Sequence, residues 1–389
     1  MGDSEYRTSI CDDLAAIDAR AWDRLVAADA DANPFLRHAF FAALHASGSA
    51  DADAGWQPQI VSLWRENELA AFIPLFVKSH SFGEYVFDWS WADAQERLGD
   101  AYYPKLLVAV PFSPITGSRL VAADDRARSA AAAILVHLAR TSGLSSLHVL
   151  FPPAAQADVL VSKGMLLRTN VQFHWHNRDY ADFEEFLASL AQAKRKKIRA
   201  ERRKVRDADV VLERKVGDDI TAQDWRFFQQ CYDGTYLQHG SRPYLNLDFF
   251  LEIGRSMPEN LMLVVARRNG RAIACALGVF DAQRAVLYGR YWGAVEHVPC
   301  LHFECCYYQM IEFAIERRLA VFEGGAQGEH KLARGLDPVE TRSVHWLRSP
   351  EMQAAVRRFV QRERGAIAAS IDEMAEHRAL RDRGQADQF

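Results

Sequence analysis

Two stretches of this chain, 209 residues apart, carry the same spacing of proline, aromatic and aliphatic residues. The first is Pro34-Phe35-Leu36, Phe40-Phe41 and Leu44. The second is Pro243-Tyr244-Leu245, Phe249-Phe250 and Ile253. Proline has its φ already set for a first helical turn, and apolar residues one turn apart then share the face that packs. Each stretch is followed by two apolar runs about an asparagine turn. These are residues 60–64 and 69–76 around Glu66-Asn67, then 261–266 and 272–280 around Asn269-Gly270. A spaced pattern that recurs with its following hairpin predicts two copies of one α/β unit.

The 389 residues have room for two such units, and 49% hydrophobic content can fill their cores. A net charge of −4 exerts no overall pull toward nucleic acid or anionic lipid. Residues 1–13 lack the apolar stretch of a secretory signal, and Gly2 is followed by Tyr6 where a myristoylation signal needs Ser or Thr. With no run long enough to span a membrane and six scattered cysteines, the expectation is a soluble cytoplasmic protein with reduced thiols.

The first copy reads as helices over 14–27 and 34–45, a polar loop, the hairpin, an insert over 79–105 and a strand over 106–110. A loop at 111–117, a helix over 126–140, a strand over 147–151, a helix over 154–163 and a strand through Phe173-His174-Trp175 follow. The second copy repeats this with helices over 223–236 and 245–256, its hairpin, a strand over 285–292, a helix over 302–318 and a strand over 320–323. An irregular segment to Trp346, a charged helix from about Glu351 and a polar tail after Asp382 close the chain. This is the element order of the GNAT acyltransferase fold. The expected division is 1–178 and 210–348 as GNAT-like domains, 179–209 as a basic linker helix, and 349–389 as a C-terminal helix and tail.

Four segments carry a family resemblance: Phe87-Asp88-Trp89-Ser90-Trp91-Ala92-Asp93 with Tyr102-Tyr103-Pro104-Lys105, Phe173-His174-Trp175-His176-Asn177-Arg178, the basic run at 194–203, and Gly325-Ala326-Gln327-Gly328-Glu329-His330-Lys331. Over residues 20–350 the chain resembles the bacterial FemAB-like "peptidoglycan biosynthesis/recognition" family, whose members are often described as GNAT-type N-acetyltransferases. The resemblance implies tandem GNAT units. It also implies transfer of an aminoacyl group from tRNA to an amine on a cell-wall precursor, with a helical element between the units linked to tRNA.

The residues themselves offer several candidate sites. Residues 194–206 hold nine basic residues and one acid, and Leu187, Leu190, Ala191, Ile198 and Val205 recur at helical spacing. One face therefore docks, while Lys194, Lys197, Arg199, Arg202 and Arg203 can meet a polyphosphate or RNA backbone or pair with neighbouring acids. At 324–331, three glycines in five residues let backbone approach a ligand, and four polar side chains follow. Glu329 or His330 can take the proton an attacking ammonium must lose, and Gln327 can meet an oxyanion. Lys331 and Arg334 can hold an anionic group beside Gly325 and Gly328. Tyr288, Arg290 and Trp292 alternate on one strand face, and His302 and Glu304 begin the next helix. Asp88, Trp89, Asp93, Tyr103 and Lys105 interleave acids and aromatics in the insert, as a cleft for a sugar, peptide or amine would.

Other patterns carry less. Arg267-Arg268-Asn269-Gly270-Arg271-Ala272 spells a pyrophosphate motif but lies in a hairpin, and residues 294–301, where that motif belongs, lack its glycines. His297, Cys300, His302, Cys305 and Cys306 lack the paired spacing of a metal site. No nucleophile–base arrangement is legible. The expected chemistry is direct attack by an amine on an ester or thioester carbonyl, with aminoacyl-tRNA or acetyl-CoA as donor and a cell-wall precursor or small amine as acceptor. An ordinary acetyl-CoA N-acetyltransferase and a non-catalytic binding module are the alternatives.

Overall fold

The computed structural model describes residues 6–325, 328–376 and 379–380. The chain divides into two compact units, Met1–Asn170 with Thr341–Ala368, and Val171–Glu340 with Ala369–Phe389.

The first unit begins with β1 (Arg7–Cys11), α1 (Ala19–Ala28), α2 (His38–Ala46), β2 (Trp56–Pro58), β3 (Ile60–Arg65), β4 (Glu68–Ile73), β5 (Leu75–Lys78) and α3 (Trp89–Arg97). Then come β6 (Lys105–Val108), β7 (Val121–Ala122), α4 (Asp125–Thr141), β8 (Ser146–Leu150), α5 (Ala154–Ser162) and the start of β9 (Leu166–His176), whose residues from Val171 belong to the second unit. The helix expected over 14–27 is interrupted. A 3₁₀ turn at Leu14–Ala16 ends before Asp18, whose carboxylate accepts from the Ala21 N–H and caps α1. Pro34 likewise heads a separate 3₁₀ turn ahead of α2. Pro74 has no N–H for the ladder, and the strand expected over 69–76 breaks there. As a result β4 stays with β1, β3 and β7, while β5 passes to β2 and β6, and β6 runs parallel to β8. Leu106, Val108, Leu147 and Val149 pack against Ala131 and Leu135 of α4. Lys105 and His148 point to the opposite face.

The second unit holds α6 (Phe183–Ser189), α7 (Gln192–Asp207), β10 (Val210–Val216), α8 (Ala222–Gln238), α9 (Leu247–Ser256), β11 (Leu261–Arg268), β12 (Arg271–Asp281) and β13 (Val286–Ala294). Next are α10 (Leu301–Phe303), a π-helical turn at Glu304–Tyr308, α11 (Gln309–Glu316), β14 (Val321–Glu323), a 3₁₀ turn at Glu329–Arg334 and the start of β15 (Asp337–Leu347), whose residues from Thr341 belong to the first unit, as does α12 (Pro350–Glu376) up to Ala368. Pro243 lies ahead of α9, which Asn246 caps, so the repeated proline opens no helix here. Asn269 (φ 52°) and Gly270 (φ 75°) form the β11–β12 turn, which places the pyrophosphate look-alike in a hairpin. The helix expected over 302–318 is broken by the π turn. Met262, Ala276, Phe280, Leu287 and Phe322 pack against Met310, Ile311 and Phe313.

Both units share one plan. β1 and β10 each pair antiparallel with the first hairpin strand, and the strand after the hairpin runs parallel to the next one, β6 with β8 and β13 with β14. The closing strands are exchanged. β14 is closed by the end of β9, with Glu323 opposite His174, and β8 is closed by β15, with His148 opposite His345. The segment expected to be irregular before Trp346 is therefore a strand. Each closing strand carries an apolar-His-Trp triplet, Phe173-His174-Trp175 and Val344-His345-Trp346.

Candidate functional site

In the second unit β13 and β14 run side by side only over Val286–Tyr288 and Val321–Glu323. Beyond that point they part, because β14 gives way to Gly324-Gly325 while β13 continues to Ala294. The β12 register shifts at Leu277/Gly278, leaving Arg290 as the extra residue of a bulge at the point of divergence. The gap holds a cavity of about 150 Å³, whose lining includes Arg290, Trp292, His302, Cys306, Tyr307 and Gly324. A larger cavity of about 670 Å³ shares Trp292 and His302 and runs along the loop between β13 and α10, past His239, Glu296, His297 and Cys300. Trp292 and His302 meet edge to face, ring centroids 5.4 Å apart, where the two cavities adjoin.

The glycine-rich loop reaches this gap. Gly328 adopts φ 104°, and a Cβ there would stand 2.3 Å from the His330 ring, so glycine is required both by the backbone and by the imidazole position. His330 is exposed, and its Nε2 shares a 3.1 Å hydrogen bond with the Tyr307 hydroxyl. Burial, then the charges of Arg334 and Lys331, lower its pKa; the same influences and His330 itself bring His302 down to about 4. Both imidazoles are therefore neutral at pH 7 and able to accept a proton. Lys331 is 4% exposed and donates to the Gly325 carbonyl at 3.0 Å, and burial pulls its pKa to about 8. Gln327 and the Glu329 side chain lie outside the described residues.

Arg334 is occupied elsewhere. It is 1% exposed and bonds both Glu201 oxygens at 2.9 Å, the His330 carbonyl and the Tyr308 hydroxyl, while its cation sits 3.5 Å from the Phe303 ring centroid. It holds the 3₁₀ turn to α7 instead of facing the gap. Glu304 also turns away, toward Arg202 at 3.0 Å, and Arg202 takes Glu312 as well at 2.9 Å. On the basic helix Ile198 and Val205 are buried, Arg199 pairs with Glu184, Lys194 is half-buried, and Lys197 and Arg203 are exposed. The helix is thus an internal clamp along one side and a cationic surface along the other.

A buried carboxyl lies at the foot of the gap. Glu323 ends β14 between Phe322 and Gly324, both of which line the cavity. Burial raises its pKa to about 8, with Arg290 opposing the shift. Its Oε2 stands 3.8 Å from Nε2 of His174, its register partner on β9, and neither atom has a hydrogen-bond partner. Tyr288 is the register partner on the other side, and its hydroxyl is pushed well up by burial and by Glu323.

The insert residues form a separate network in the first unit. Lys105 is fully buried and donates to Asp88 at 2.6 Å, Ser81 at 2.7 Å and Glu84 at 2.8 Å. Burial, which would raise Asp88, is outweighed by the Lys105 charge, so its carboxyl lies well below the usual range. Tyr102 donates to Asp88 at 2.7 Å and meets His148 at 3.1 Å, and His148 meets His345 at 2.7 Å. The Tyr103 hydroxyl bonds Ser81, Trp89 is half-exposed against Phe82, and Asp93 points to solvent. Arg119 fills the loop that corresponds to 294–301, donating to the carbonyls of Ile115, Gly117, Ser118 and Leu150, and that space is closed by the unit's own side chain.

The structure thus gathers Arg290, Trp292, His302, Gly325, His330 and Lys331 around one gap. Beside these stand Glu323, His174 and Tyr307, to which the sequence pattern assigns no site role. The available signal was an acid at the end of a buried strand directly before Gly-Gly, and the His-Trp pair that recurs on both closing strands. Among the described residues no group of three or more His, Cys, Asp or Glu is arranged to hold a metal, and no helix is long and apolar enough to cross a membrane.

The model of the FemAB-like family, described as peptidoglycan biosynthesis/recognition, matches residues 13–382. No curated protein matches the sequence. Among solved structures, the fold is similar to a C-terminal domain assigned to a lysylphosphatidylglycerol synthetase of Agrobacterium fabrum, with TM-score 0.56, 11% identity, and 88% of this chain and 96% of that one covered. It is also similar to FemX (TM-score 0.54, 12% identity, 87% and 98% covered) and to L-PGS from Bacillus licheniformis (0.51, 9%, 82% and 95%). At such identities the likeness concerns the fold.

Proposed function

Because the chain belongs to the FemAB-like peptidoglycan biosynthesis/recognition family, we propose that it transfers an acyl or aminoacyl group to an amine, in the gap between β13 and β14 of its second unit. The observation that carries this reading is the splayed strand pair itself. It opens a cavity lined by the bulged Arg290, Trp292, His302 and Tyr307, with His330 on the loop beside it. A neutral imidazole at His330, or the neighbouring Glu329, takes the proton an attacking ammonium sheds. A loop N–H stabilises the oxyanion, and Lys331 holds an anionic part of the donor. The amine nitrogen attacks the donor carbonyl, the C–N bond forms and the bond to the leaving oxygen or sulfur breaks. No protein nucleophile is required, and the cysteine nearest the gap, Cys306, is held protonated by burial.

Family membership supports a cell-wall precursor as acceptor. The loop before α10 favours aminoacyl-tRNA over acetyl-CoA as donor, since it carries no glycine and enters the helix through a left-handed Cys300. The exposed Lys197 and Arg203 supply a surface for a phosphate backbone. Native mass spectrometry of the protein purified from cells tests the donor. Retained tRNA, and transfer of its amino acid to a peptidoglycan precursor, are expected. Stoichiometric CoA thioester, with binding lost on mutating 294–301, would overturn the aminoacyl reading.

A further inference from the structure

Glu323 and His174 lie outside the assignments above, yet they are the polar pair left unsatisfied beside the gap. Each side chain keeps 10% of its surface exposed, and each has a buried polar atom without a hydrogen-bond partner, Oε2 of Glu323 and Nε2 of His174. The two atoms are 3.8 Å apart. That is too long for a hydrogen bond, yet close enough for one donor atom beside them to reach both at ordinary distances. A buried polar atom left without a partner costs about 1–3 kcal/mol, so a donor placed between these two atoms is stabilised there.

The chemistry of the pair selects that donor. His174 is held neutral by burial, at about 4, and in its Nδ1–H tautomer Nε2 is an acceptor. Glu323 offers a second acceptor once its carboxyl ionises. An anion has no donor to give either atom, and a tertiary or quaternary ammonium has too few N–H groups. A primary ammonium has three, and its charge complements the carboxylate. The charged and titratable groups around the pair are Arg290 and Tyr288 beside Glu323, and His176 and Lys331 beside His174, so an ammonium here shares the site with the Lys331 cation. Arg290 turns toward Tyr291, donating to its hydroxyl at 3.2 Å. Phe322 and Gly324, the neighbours of Glu323 in sequence, line the cavity.

We propose that Glu323 and His174 form a docking point for a primary ammonium group, the reactive end of the acceptor amine. This rests on the transferase reading only for identifying the bound ammonium as the acceptor. Glu323 positions and selects the substrate, while proton transfer stays with the loop.

Calorimetric titration with n-butylammonium chloride tests it, with 1-butanol and trimethylbutylammonium as comparisons. Wild type should bind butylammonium saturably and discriminate against both analogues. Near pH 7, binding should release close to one proton, read from titrations in two buffers of different ionisation enthalpy, because the carboxyl must ionise to pair. Glu323→Gln should weaken binding at least tenfold, and His174→Phe severalfold, with thermal midpoints confirming that both variants fold. The proton count on wild type remains decisive should a variant fail to fold. Absence of saturable binding, binding without proton release, or equal affinity in a folded Glu323→Gln protein would overturn the proposal. Glu323-dependent butylammonium binding in a protein that transfers no acyl group would instead sink the transferase reading alone. Transfer by Glu323→Gln with an unchanged amine KM would sink the docking point alone.

Discussion

Replacing Glu323 by Gln removes a charge that folding forces out of water, and the consequence is readable as stability against pH. The carboxyl shifts from 4.5 to about 8 because it is buried, with the Arg290 charge compensating only in part. A carboxyl whose folded pKa is raised contributes stability that is fully present below the unfolded value and is lost as pH rises through the folded one. At about 1.4 kcal/mol per pH unit, the cost to wild type relative to an uncharged isostere is just under about 1 kcal/mol at pH 5 and about 3 kcal/mol at pH 7. It levels off above pH 8. Gln has nearly the same volume and never ionises, so the variant escapes this cost. Urea denaturation of both proteins at pH 5, 6, 7 and 8, followed by tryptophan fluorescence, should show wild type losing about 2 kcal/mol against the variant between pH 5 and 7. Other titrating groups are common to both proteins and cancel in the difference. Stability differences that stay constant across this range would show that Glu323 ionises freely, and the buried-carboxyl argument would fall.

His330→Ala should fold normally, since the side chain is exposed, and should lower single-turnover transfer by roughly a hundredfold if the imidazole is the base; a thermal midpoint set beside the rate separates the two effects. Lys331→Ala should mainly raise the donor's KM if the lysine binds ground and transition states alike, so an unchanged KM would remove it from the donor site. Arg334→Ala strips the partner from buried Glu201 and should cost about 3–5 kcal/mol, and a midpoint close to wild type would make Arg334 a ligand-binding candidate again. Charge reversal at Lys197 and Arg203 should leave stability nearly unchanged, weaken RNA binding and reduce its salt dependence by roughly one log–log unit for each phosphate no longer neutralised; salt-independent binding unaffected by the reversal would assign the exposed face no polyanion.

Local chemistry made much of the architecture legible in advance. The duplicated aromatic spacing, the two asparagine hairpins and the long apolar helices depend on residues close in sequence, and their order alone identified the GNAT plan. For the loop beside the gap the local signal was a buried strand ending in Gly324-Gly325, with Gly328, His330 and Lys331 following. Pro74, Asp18 and the π turn at Glu304–Tyr308 changed boundaries without changing the element order.

Three things were decided only by tertiary structure, each because it depends on partners far away in the chain. The exchange of closing strands brings His174 opposite Glu323 and His345 opposite His148, and no local pattern says which of two similar sheets a strand will join. The basic helix reads as one uniform charge field, yet Arg202 is taken up by Glu304 and Glu312, leaving Lys197 and Arg203 to solvent. Arg334 and Lys331 sit three residues apart in one loop, but the first meets Glu201 in a desolvated ion pair and the second meets a backbone carbonyl and the Phe173 ring. The sequence by itself determined which elements form and where chemistry concentrates, because propensity, turn geometry and glycine freedom act over a few residues. Which charges are neutralised, which are left to solvent and how far a carboxyl's pKa moves were set by tertiary structure, because desolvation and ion pairing depend on what folding packs around each group.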